Sequence, residues 1–148
     1  MLNRIVPALA LAAVLANSAG AQTSAAATSA DVPFYAGLGG LSRPIATKST
    51  DAQRYFNQGL AFLYAFNHDE AIRAFTKASE LDPSSAMALW GVAFANGPHI
   101  NNTAVPPERA TAAWEAVNRA KALTKVPEIE RELVDAVCLL YTSPSPRD

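Results

Sequence analysis

The sequence holds a single cysteine, Cys138. A lone cysteine excludes an internal disulfide framework and the cysteine-rich structural zinc sites. Histidine is almost as scarce, with only His68 and His99. No H-E-x-x-H and no Cys pair accompanies them, so no metal site is expected. Charge of one sign is lacking too. Of 12 basic and 13 acidic residues, Arg4, Arg147 and Asp148 lie outside residues 22–137, which leaves that span a net charge of −2. Nothing in it draws nucleic acid or an anionic membrane by bulk electrostatics. The long apolar run, residues 5–16, falls short of the roughly 20 residues that a membrane span requires.

That run has another reading. Arg4 precedes it, and Ser18, Ala19, Gly20, Ala21 and Gln22 follow, with Ala19 and Ala21 in the A-x-A arrangement that a signal peptidase reads. A basic start, a short apolar stretch and small residues before a cut describe a secretory signal peptide, residues 1–21. The chain is therefore expected to be exported, either periplasmic or secreted, with no membrane span after cleavage. Cys138 at the other end opens a Ser/Pro-rich tail, residues 138–148, that breaks a helical pattern without turn chemistry. A disordered tail would explain its composition. Its residues can also all be encoded by a string that resembles the adapter used in transposase-based DNA library preparation. The reading expected here is an artefact tail, with the gene-derived sequence running only to Val137 and the repeat array truncated after its fifth helix. Cys138 then carries no thiol chemistry.

Residues 22–30 are Ala, Ser and Thr with one Gln, and residues 31–48 carry Pro33, Gly37, Gly39, Gly40 and Pro44. Composition of that kind makes 22–48 a linker. Its Phe34, Tyr35, Leu38, Leu41 and Ile45 suggest an extended segment lying on the first helix pair. Helical periodicity begins at Thr50, which with Gln53 forms a capping-box pattern. Tyr55, Gly59, Phe62 and Phe66 share one face, and Phe56, Leu60 and Leu63 an adjoining one. Asn67 and Glu70 start a second helix, with Ala71, Phe75 and Ala78 on one face, that stops at Asp82-Pro83. A short turn between two such helices predicts antiparallel packing. Residues 84–96 predict a third helix with Met87, Leu89, Trp90, Val92 and Phe94. Pro107 suits the first turn of a fourth, which shows Ala110, Trp114 and Val117. A fifth starts near Pro127 with Ile129, Leu133 and Val137 on one face. Glu128, Glu130 and Glu132 read as its solvated acidic start.

Residues 52–83 resemble a tetratricopeptide repeat, the helix–turn–helix unit of about 34 residues. Tyr55 takes the first aromatic place of the pattern, Gly59 the glycine, Phe62 the second aromatic and Ala71 the first alanine. Phe75, Ala78 and Pro83 complete it, while Gln58 stands where Leu is usual. Residues 86–123 resemble a second, looser unit, and 127–137 the start of a third. The array 49–137 is thus expected to be all-α, antiparallel hairpins stacked as an α-solenoid. Two and a half such units would be marginally stable, because about three are generally needed.

The resemblance implies that the first helix of each pair lines a concave docking surface. Carried over, the groove positions are Gln53, Phe56, Leu60 and Leu63 in the first unit and Met87, Trp90 and Phe94 in the second. Family members that grip a terminal carboxylate use Lys and Asn where Phe56 and Leu60 stand, so that clamp is absent. An apolar groove suits a hydrophobic peptide or helix, and the implied function is a protein-binding scaffold. A competing arrangement covers the strip with residues 34–41 or with sequence beyond Val137. No catalytic residues and no cofactor are expected. His68 reads as turn packing, and His99 lies in an irregular loop whose amides could hold a small polar ligand. The alternative function is the adaptor region of a longer exported enzyme or redox protein, with its chemistry after Val137.

Overall fold

The computed structural model describes residues 32–100 and 103–142. The expected signal peptide, residues 1–21, with residues 22–31 of the expected linker and residues 143–148 of the expected tail, lies outside the described residues. Within them the chain is all-α: α1 (Thr50–Tyr64), α2 (His68–Leu81), α3 (Ala86–Asn96), α4 (Pro107–Lys121) and α5 (Glu128–Thr142). None is long and apolar enough to cross a membrane. The helix ends follow their local chemistry. Ser49 rather than Thr50 caps α1, its Oγ accepting from the Ala52 N–H at 3.1 Å. Asn67 caps α2 through the Glu70 N–H at 3.3 Å, and Ser85 caps α3. Each such cap satisfies an orphan donor and contributes about 1 kcal/mol. Pro107 occupies the first turn of α4, where its missing N–H leaves nothing unpaired.

Helix α1 closes differently from its periodicity. Phe66 does not extend the helical face. It sits at φ 59° beyond the C-cap, with its N–H donating to Leu63 O and the Asn67 N–H to Phe62 O. That pair of bonds is a Schellman turn, and the left-handed position is one that glycine usually fills. The ring is consequently 62% exposed.

Every helix packs on the next along the chain; in addition α3 packs on α1 and α5 packs on α3. Among the described residues no such packing joins α2 to α4. The main core gathers Phe56, Leu60 and Leu63 of α1, Ala71, Phe75 and Ala78 of α2, and Met87, Ala88 and Ala95 of α3. Phe56 and Phe75 meet with ring centroids 5.5 Å apart and planes at 53°. Phe75 is also the reason two helices carry glycine. A Cβ on Gly59 would lie 2.6 Å from its ring, and one on Gly91 would come closer still. Backbones of α1 and α3 thus press on the two sides of one phenyl group.

Expected to lie on the first helix pair, residues 32–48 form a strap bound along α1, while the expected faces of α4 and α5 are corrected. Tyr35 N–H donates to Gln58 Oε1 and Gln58 Nε2 donates to Pro33 O, so the amide standing in a usual leucine place serves the strap. The Tyr55 hydroxyl donates to Val32 O, and Tyr35 meets Phe62 edge-on at 5.5 Å. On α4 the buried face is Ala113, Ala116, Val117 and Ala120, which leaves Trp114 44% exposed and Ala110 half-buried. On α5, Ile129 is exposed while Val134 and Val137 are buried, and the helix runs past Val137 to Thr142 with Cys138 packed against a core cluster.

Candidate functional site

Four of the seven groove positions belong to the core. Phe56, Leu60, Leu63 and Met87 are buried where α1, α2 and α3 meet, so their side chains face neighbouring helices and are not presented to a partner. The reason is that α3 packs against both α1 and α2, which buries the apolar face that the resemblance assigns to an open groove. Gln53 is half-buried and occupied: it accepts from Ile45 N–H and donates to Arg43 O and Asn57 Oδ1. The strap lies against Tyr55, Gln58 and Phe62, and its Ile45 packs on the core cluster that holds Phe56, Leu60 and Leu63.

Trp90 and Phe94 remain. One turn apart on α3, their rings stack with centroids 5.1 Å apart and planes at 21°. Trp90 is half-buried and touches all three core clusters, and Phe94 is 40% exposed. This is an aromatic step fixed from below. Stacked rings on rigid helix backbone lose little freedom on contact, the property that makes aromatic side chains effective binding anchors.

The other two candidates come from residues far apart in sequence. A cavity of about 310 Å³ opens between the strap and α1, lined by residues 34–42 with Arg54, Asn57, Gln58 and Ala61. Its arch turns at Gly37 and Gly39, both at φ 85°. The polar groups beneath are already engaged: Gln58 with the strap, Asn57 with Ser42 and Arg43, and Arg54 with Asp51 and the Phe34 ring.

At the opposite end of α1, His68 and His99 stack with ring centroids 4.0 Å apart and planes at 15°. His68 Nδ1 lies 3.1 Å from Phe66 O. A carbonyl only accepts, so Nδ1 carries the proton of the neutral ring. His99 Nδ1 is buried without a hydrogen-bond partner. Burial, then the facing His68 and then Arg109 hold the His99 pKa below the ordinary imidazole value. Arg109 of α4 pairs with Asp69 of α2, and Arg73 with Glu70 at 3.0 Å.

Glu130 was legible only as part of an acidic helix start, and that reading fails. It is 6% exposed; Oε1 accepts the Ala46 N–H at 2.6 Å, and Oε2 is buried without a partner. No periodicity announces a contact made 84 residues away. Among the described residues no three His, Cys, Asp or Glu side chains gather as a metal cluster. Compared with known proteins, the chain matches no family model, no curated protein and no solved structure.

Proposed function

We propose that this chain is an exported helical-repeat scaffold that docks a protein or peptide through an apolar aromatic anchor. Two hairpins of one plan, α1–α2 and α3–α4, support the repeat reading, as does the repeated way an added helix packs on both members of the preceding pair. A stack of this kind, resembling tetratricopeptide repeats, offers surface for docking and positions few polar groups for chemistry. The docking surface is narrower than the family pattern implies. It is the Trp90–Phe94 step, and the single observation that carries it is a substantially exposed Phe94 stacked on a tryptophan that the core fixes in place. Residues 1–21 supply the export signal.

Random-peptide display against the folded chain tests the docking role. Selected peptides should share an apolar or aromatic anchor, and Phe94→Ser should weaken a selected peptide at least tenfold in calorimetric titration, about 1.4 kcal/mol. An affinity unchanged by Phe94→Ser removes the step as a docking site. N-terminal sequencing of the exported product tests the leader, with Gln22 as the expected first residue.

A further inference from the structure

The His68–His99 stack joins the start of α2 to the stretch that follows α3. His68 is the first residue of α2, and His99 follows the end of α3 at Asn96. A positive charge is poorly received at His99. The N-terminus of α2 is the positive end of its helix dipole. A protonated His99 would carry N–H at both ring nitrogens, and its Nδ1 is buried with no acceptor. Two cationic rings face to face at 4.0 Å would also repel. Of the nearby carboxylates, Asp69 pairs with Arg109 and Glu70 pairs with Arg73 through Oε1, while Glu70 Oε2 is buried without a partner. Arg109 adds a further positive charge on the α4 side.

We propose that this imidazole pair is an acid-released staple. When neutral, the stacked rings hold residues 97–100 against the start of α2; when protonated, they separate and that stretch leaves α2 while the hairpins stay folded. The sign follows from the geometry. A His99 held below its ordinary value contributes stability that is intact above about pH 6.5 and is lost as pH falls from there toward its lowered value. The chain has only these two histidines, so no other imidazole can produce the transition.

The test uses the full chain. Proton NMR of the two histidine rings gives their titration, and amide hydrogen exchange at pH 7.2 and 5.5, corrected for intrinsic rate, gives the opening. Protection of Gly97 and Glu70, whose amides donate to Phe94 O and Asn67 Oδ1, should fall at least tenfold on acidification, while α1 and α3 keep theirs. His99→Phe retains a stackable ring without a proton and should abolish the pH response; His68→Phe serves the same purpose should His99→Phe fail to fold. A His99 titration at or above the ordinary value, protection unchanged at pH 5.5, or an equal loss in the phenylalanine variants overturns the staple.

Discussion

Phe75 is held between Gly59 and Gly91, and neither site has room for a methyl group. Helix propensity favours alanine over glycine by about 1 kcal/mol, so a free surface would reward Gly91→Ala. Here the added Cβ meets a fully buried ring that α1 blocks from the other side. Overpacking of this kind costs about 1–3 kcal/mol, and Gly91→Ala should be destabilising in urea unfolding. Phe75→Leu in the same chain should recover part of that loss, a coupling that a double-mutant cycle reads. An additive cycle would mean the ring is not the obstacle. Gly59 and Phe75 were legible because they fall at fixed offsets of a known pattern. Gly91 was not singled out, because its reason lies on α2 and no spacing within α3 shows it. Phe66 misled by fitting a helical face that its own backbone leaves.

The strap shows what an element can hide from periodicity. Its Gly and Pro residues exclude a helix, and its apolar residues point to a bound segment, which is what lies along α1. The polar fastenings were invisible, because they reach separate elements: Gln53 and Gln58 on α1, Asp82 at the end of α2 and Glu130 on α5. Burial pushes the Asp82 carboxyl up, but hydrogen bonds from Ser84 and Thr47 outweigh it and hold the group below its ordinary value. Asp82 therefore contributes stability above about pH 3.8 that is lost as pH falls through its lowered value. Glu130 is the more decisive fastening. Glu130→Ala removes a charged acceptor from the Ala46 N–H, a bond worth about 1.5–3 kcal/mol, whereas Glu130→Gln keeps an acceptor in place. Hydrogen exchange at Ala46 should accelerate strongly in the alanine variant and less in the glutamine variant. Equal rates in both would assign the effect to charge instead.

Across the whole molecule the same bond changes the expected cooperativity. An array whose units touch only their neighbours unfolds from its ends, and two and a half such units would be marginal. The strap connects α1 to α5, and α3 touches all four other helices, with eight of its residues buried. The chain should accordingly unfold in one transition, with α3 amides exchanging slowest. Separate transitions for the α1–α2 and α3–α4 hairpins would show that the closure is too weak to couple them. The five helices were legible from capping residues and period alone, since those signals are local. Which face of each helix becomes interior depends on the third element it meets, and so Trp114 and Ile129 were misplaced outward residues.

Trp90 gives this architecture a built-in optical reporter. The chain has two indoles, one wedged among all three core clusters and one, Trp114, facing water. With Trp114 replaced by phenylalanine, the emission wavelength would come from a single chromophore in contact with every packed layer, and any loosening between layers would register as a red shift.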